Sequence, residues 1–158
     1  MPKKRTGGRW FLRGFGCGVV LLPLLVACLI FFMRHEAKRI TVTRLDVPSA
    51  EWTLSPLKVV VAADFHVRPT PEAIERLGKI VDAVNAEKPD LILLPGDFAA
   101  GVRQDQAATP ETIAGELSRL SAPLGVYAVL GNHERWIGKE GFVRAFREKG
   151  IPLLEDRS

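Results

Sequence analysis

Three short polar clusters hold the residues equipped for chemistry: Asp64-Phe65-His66, Gly96-Asp97 and Gly131-Asn132-His133-Glu134. Each directly follows an apolar run: Val59-Val60-Val61-Ala62-Ala63, Leu91-Ile92-Leu93-Leu94-Pro95 and Val126-Tyr127-Ala128-Val129-Leu130. Carboxylate, imidazole and amide donors without a thiolate suit hard or borderline divalent cations. Asp64 and His66, two apart at a strand end, are expected to point the same way and clasp one ion. Asp97, with two carboxylate oxygens, is expected to bridge to a second ion, to which Asn132 supplies a neutral carbonyl. Two ions about 3.5–4 Å apart would clamp a phosphate and activate the attacking water. His133, beside a ligand but not needed as one, is the candidate to protonate the leaving group. Gly96 and Gly131 permit tight turns and close approach of backbone to the site.

Singly, each cluster has an ordinary explanation, since an Asp after a strand is more often a turn former or helix cap. The argument for a shared site is positional. In an open parallel sheet, ligands bind beyond the carboxyl ends of the strands, and all three clusters fall there in order.

The elements that must position them are readable from periodicity. Leu57 to Ala63 reads as a strand buried on both faces. Thr70 caps the helix that follows, Pro71 suits its first turn, and Ile74, Leu77, Val81 and Val84 form its inner stripe until Pro89 stops it. Leu91 to Leu94 is a second buried strand. Thr109, Pro110 and Glu111 repeat the cap, with Ile113, Leu117 and Leu120 as the stripe. Val126 to Leu130 is a third strand, Phe142 to Lys149 a helix closed by Gly150, and Ile151 to Leu154 begins a fourth strand. This β-α-β-α-β-α-β order is that of a parallel α/β sheet. Ile40 to Val47 alternates like a half-buried strand, and the proline-punctuated stretch to Pro56 reads as a connection.

Gly14 to Met33 carries no charged residue. Twenty helical residues cover about 30 Å, the hydrocarbon thickness of a bilayer, so the run reads as a transmembrane helix or signal anchor. Leu25-Val26-Ala27-Cys28 also resembles a lipobox, but Leu29 to Met33 continues the apolar run beyond the cysteine. Both cysteines, Cys17 and Cys28, lie within it, which leaves no disulfide framework or thiolate metal site for the rest of the chain. Nine Lys or Arg stand against one acid, Glu36, up to residue 44; beyond it thirteen stand against seventeen acids. The basic excess therefore belongs to the flanks of the apolar run, and the mildly acidic remainder disfavours a nucleic-acid partner. Lys3, Lys4, Arg5, Arg9 and Arg13 before the run favour a cytoplasmic N-terminus and an extracytoplasmic domain.

The clusters resemble the calcineurin-like metallophosphoesterase superfamily, whose pattern runs Asp-x-His, Gly-Asp, Gly-Asn-His-Asp/Glu, then a later His and a Gly-His-x-His. The similarity covers residues 57–154, and its setting resembles a bacterial membrane-associated phosphodiesterase branch, some members of which are linked to UDP-sugar lipids. By position, the resemblance implies Asp64, His66 and Asp97 as ligands of one metal, Asp97 and Asn132 as ligands of the other, and His133 as the catalytic histidine. Glu134 stands where many members have Asp. Arg68 and Arg135, beside the ligand loops, are candidate phosphate contacts, and Trp136 a pocket wall or a core residue. The cofactors implied are two divalent ions such as Mn, Fe or Zn.

His35, His66 and His133 are the only histidines, so the later His and the Gly-His-x-His are absent. The expectation is thus the parallel-sheet half of an αββα sandwich, with an apolar sheet face uncovered, preceded by one transmembrane helix. Residues 1–13 form a basic segment, 14–33 the span, 34–56 a juxtamembrane strand and linker, and 57–158 the N-terminal part of a truncated phosphoesterase domain. The implied function of the intact protein is metal-dependent hydrolysis of a phosphoester, monoester or diester, on a membrane-proximal and lipid-linked substrate at a bacterial inner membrane, with this chain alone expected to be inactive. The rival is a degenerate, non-catalytic membrane-anchored module that keeps the fold and one metal.

Overall fold

The structure, a computed structural model, describes residues 8–36 and 39–154, with backbone alone for 8–20. The basic residues Lys3, Lys4, Arg5 and Lys38, and the side chains of Arg9, Arg13 and Cys17, lie outside the described residues. The chain divides into two compact units, with the boundary between Leu45 and Asp46.

In the first unit, helix α1 runs Gly8–Glu36 and includes Pro23. Arg34 and His35 occupy its last turn, where positive charge complements the helix dipole. The expected span 14–33 is helical throughout, and its described side chains, from Leu21 on, are exposed. Among the described residues no helix is long and apolar enough to cross a membrane. The strand expected over Ile40–Val47 does not form. A strand needs a ladder partner, and none pairs here; Leu45 and Val47 remain 82% and 84% exposed.

The second unit is built on a three-stranded parallel sheet in the order β1-β2-β3, with β1 Val59–Val61, β2 Leu91–Leu94 and β3 Val126–Ala128. Helix α2, Pro71–Ala86, connects the first two strands; helix α3, Pro110–Leu117, lies between the second and third. Helices α4, Asn132–Ile137, and α5, Lys139–Glu148, follow. Both predicted caps are present: Thr70 accepts from the Ala73 N–H and Thr109 from the Thr112 N–H, each with proline opening the helix. At the end of α5, Gly150 adopts φ +70°. Its N–H donates to Arg147 and that of Ile151 to Phe146, the paired bonds of a Schellman motif.

Side chains alternate across the sheet, so each strand shows one set to the helices. Ile92, Leu94 and Ala128 pack with Leu77 and Val81 of α2, Ile113 and Leu117 of α3, and Phe142 and Phe146 of α5 in one core. The opposite face stays open, with Val59 40% and Val61 63% exposed. β1 is therefore an edge strand covered on one side, not the doubly buried strand that the run Leu57–Ala63 suggested. An uninterrupted apolar run states compatibility with burial, and only a second layer could supply it. The fourth strand expected over Ile151–Leu154 is reduced to a single parallel bridge between Ala128 and Leu153.

Candidate metal centre

Pairing between β1 and β2 continues past both strands and aligns the first two clusters. Ala62 N–H donates to Leu93, Asp64 to Gly96, His66 to Asp97 and Val67 to Phe98. Along this zipped segment the chain turns sharply: Asp64, His66 and Asp97 adopt φ of +57°, +44° and +55°. Left-handed backbone at a non-glycine residue costs about 1–2 kcal/mol, so three such residues together mark a conformation enforced by surrounding contacts. Aromatic rings between and after the donors supply part of that enforcement. Phe65 stacks on fully buried Phe98 at 5.8 Å, and Phe98 contacts Phe146 of α5 at 5.0 Å.

The third cluster arrives differently from expectation. Asn132-His133-Glu134 was read as a loop, but it opens helix α4, with Gly131 as N-cap. Glycine has no capping oxygen and the helix is six residues long, so its one local cap signal is Glu134 at the third helical position, whose carboxylate accepts from the Gly131 N–H. The helix brings the His133 N–H to Asp97 Oδ1 at 3.2 Å. Gly131 sits against the same carboxylate: a Cβ there would lie 2.1 Å from Asp97 Oδ1. Gly96 is equally confined, with a Cβ meeting Gly131 N at 2.5 Å.

Donor atoms of His66, Asp97 and His133 all lie within 4.8 Å of one another. Asp64 joins them at the exposed edge, its Oδ1 3.7 Å from His66 Nε2. Both imidazoles are oriented by backbone carbonyls: His133 Nδ1 lies 2.6 Å from Gly101 O and His66 Nδ1 3.4 Å from Ala99 O. A carbonyl can only accept, so Nδ1 carries the proton in each ring and the neutral tautomer keeps a lone pair on Nε2. That is the arrangement metal-ligating histidines use. The Asn132 amide faces Asp97. With nitrogen inward it donates to both carboxylate oxygens at 3.2 Å, and with oxygen inward three acceptors converge, a geometry suited to a cation. The residues present therefore fit a divalent ion.

Arg68 and Arg135 are exposed, and among the described residues no hydrogen bond or ion pair holds either guanidinium. Trp136 is 57% exposed with its ring 5.0 Å from that of His133, so it borders the cluster and is not a core residue.

The model of the calcineurin-like phosphoesterase family matches residues 57–156. The chain belongs to that family. Among its relatives, UDP-2,3-diacylglucosamine pyrophosphatase LpxG of Chlamydia trachomatis is 34% identical over 102 residues, 63% of this chain and 30% of that protein. An uncharacterized metallophosphoesterase of Aquifex aeolicus is 29% identical over 124 residues, 78% of this chain and 43% of its own length. The transmembrane protein with metallophosphoesterase domain of Danio rerio is 25% identical over 141 residues, 87% of this chain and 31% of the relative. The chain thus spans less than half the length of each of these phosphoesterases.

One residue of this phosphoesterase centre escaped sequence reasoning except as a motif variant. Glu134 is fully buried, and its carboxylate accepts from three backbone N–H groups: Asp97 at 3.1 Å, Ala99 at 2.9 Å and Gly131 at 2.8 Å. Two of those donors lie more than thirty residues away, beyond any local pattern.

The tight fit at Gly131 gives a direct prediction. Gly131→Ala forces Asp97 from its position, and overpacking of this kind costs about 1–3 kcal/mol. Manganese affinity is expected to fall about tenfold, since about 1.4 kcal/mol is one decade. Manganese titration of the variant checks this, and unchanged affinity would show that the position of Asp97 does not matter to the ion.

Proposed function

We propose that the protein hydrolyses a phosphoester by direct attack of water at phosphorus, with divalent cations held by Asp64, His66, Asp97 and Asn132. The observation that supports it is the convergence of His66, Asp97 and His133 donor atoms within 4.8 Å beyond adjoining parallel strands. Two bound divalent ions would supply Lewis-acid charge to the phosphoryl oxygens and lower the pKa of the attacking water. In this reading Asp64, His66 and Asp97 would hold one ion, and Asp97 and Asn132 the other. His133, its Nδ1 tied to Gly101 O, presents Nε2 to the substrate. Carrying a second proton on Nε2, it would give that proton to the departing oxygen and be left neutral, with Nδ1 still bonded to Gly101 O. Arg68 and Arg135, whose guanidinium groups have no partner among the described residues, meet phosphate oxygens.

Residues 57–158 are the N-terminal part of the phosphoesterase domain, and the open sheet face would take the second sheet of an αββα sandwich. The basic segment 1–13 and the apolar run 14–33 anchor the protein in a bacterial inner membrane, with 34–56 leading to an extracytoplasmic domain. The substrate is then membrane-proximal and lipid-linked, in keeping with the name of the chlamydial relative. A non-catalytic membrane-anchored module is the second reading, favoured by the Asn132 amide, which with nitrogen inward donates to both Asp97 carboxylate oxygens and leaves them less free for a second ion.

The full-length protein in detergent, assayed with bis-p-nitrophenyl phosphate and with UDP-2,3-diacylglucosamine, separates the two. Hydrolysis that requires manganese, stops with EDTA and returns on adding the metal back is the expected result. Manganese binding without turnover of either ester would favour the second reading. Failure to bind manganese at all would remove both.

A further inference from the structure

We infer that Glu134 is the positioning residue of the metal centre: one buried carboxylate ties the Asp97 loop to the Asn132–His133 loop, and thereby sets manganese affinity, without touching the ion. The inference rests on the metal-binding part of the function proposed above. Two of Glu134's three bonds go to the loop that carries Asp97 and one to its own loop; the Asp64–His66 loop is reached through that first loop, where His66 N–H donates to the Asp97 carbonyl and the His66 ring meets Ala99 O. The Asp97 N–H belongs to the candidate bridging ligand. Ala99, whose N–H is the second donor, uses its carbonyl to orient His66. Gly131, the third, directly precedes Asn132 and His133.

The same carboxylate therefore fixes Asp97 in its left-handed conformation and holds α4 against it. Among the described residues no basic side chain pairs with Glu134, which is fully buried. A buried carboxylate without a cationic partner is costly. Backbone dipoles offset part of that cost, and a divalent ion at the neighbouring cluster would offset more. Metal binding and the Glu134 carboxylate should then support one another. Outer-shell partners of this kind are worth about 10–100-fold in metal affinity.

The test is titration of the full chain with manganese chloride, read from the electron paramagnetic resonance signal of the free ion. Glu134→Gln keeps the shape but turns an NH2 group toward a backbone N–H, so at least one of the three bonds is lost. About a tenfold weaker affinity is expected. Glu134→Asp keeps the acceptor oxygens but is one methylene short of reaching the Asp97 loop in full, and about a threefold loss is expected. Val81→Ala, a core change in α2 remote from the loops, controls for general destabilisation and should bind within twofold of wild type. The inference is overturned if Glu134→Asp binds as tightly as wild type or as weakly as Glu134→Gln. It is equally overturned if Val81→Ala loses as much as Glu134→Gln. Should Glu134→Gln not fold, the Asp variant and the core control still decide the matter. Absence of manganese binding by wild type itself would instead sink the proposed function.

Discussion

Asp97→Asn is expected to lower manganese-dependent hydrolysis of bis-p-nitrophenyl phosphate by the full-length protein by at least about 100-fold. The floor comes from outer-shell partners, whose loss costs about 10–100-fold, and a direct ligand, the role proposed for Asp97, would carry more than its supports do. The substitution is nearly isosteric, so packing around Phe98 and Gly131 is kept. What it removes is the negative charge and one strong acceptor. Asp97 Oδ1 also receives the His133 N–H at 3.2 Å. An amide nitrogen in that place would set donor against donor and loosen the start of α4 as well. Steady-state rates at saturating and limiting manganese would separate weaker metal binding from slower chemistry. Equal activity in variant and wild type would remove Asp97 from the centre altogether.

His133→Ala should behave differently. Proton transfer by a positioned histidine contributes about 10²–10⁴-fold, so kcat is expected to fall within that range while manganese affinity changes little. The prediction is pointed because the His133 ring stands only 4.5 Å from that of His66, among the converging donors. A histidine in that place can serve as ligand or as acid. If His133→Ala loses metal affinity in proportion to rate, His133 is a ligand and the proton comes from elsewhere. An ester with a far better leaving group offers a second check, because a weakly basic oxygen needs no proton. The loss in the variant should shrink toward unity with such a substrate.

Reading the chain without coordinates succeeded where the cause of a structure lies within a few neighbouring residues. Thr70-Pro71 and Thr109-Pro110 carry their helix starts locally, because the capping oxygen bonds an N–H three residues on. Leu91–Leu94 reads as a strand from its own apolar run, and Gly150 ends α5 through its tolerance of positive φ. Failures share a different cause. Ile40–Val47 has the alternation of a strand but no partner to pair with, and pairing is a property of two segments. α4 starts at a glycine with no capping oxygen, and its order depends on a carboxylate that reaches back across the fold. The run before Asp64 gave the strand but not its exposed face, because burial on two sides requires two layers.

What the sequence by itself determined is the kind of donors, their order and their place after apolar runs, along with membership of the calcineurin-like phosphoesterase family that these motifs signal. Tertiary structure alone decided how those donors meet: the left-handed turns at Asp64, His66 and Asp97, the carbonyls that orient both imidazoles, and the three-way grip of Glu134. The physical reason is one of range. Side-chain type and turn propensity act over about one helical turn. The hydrogen bonds that close this centre each join a backbone N–H to a carboxylate 35 to 37 residues away, which only the packed sheet brings within reach.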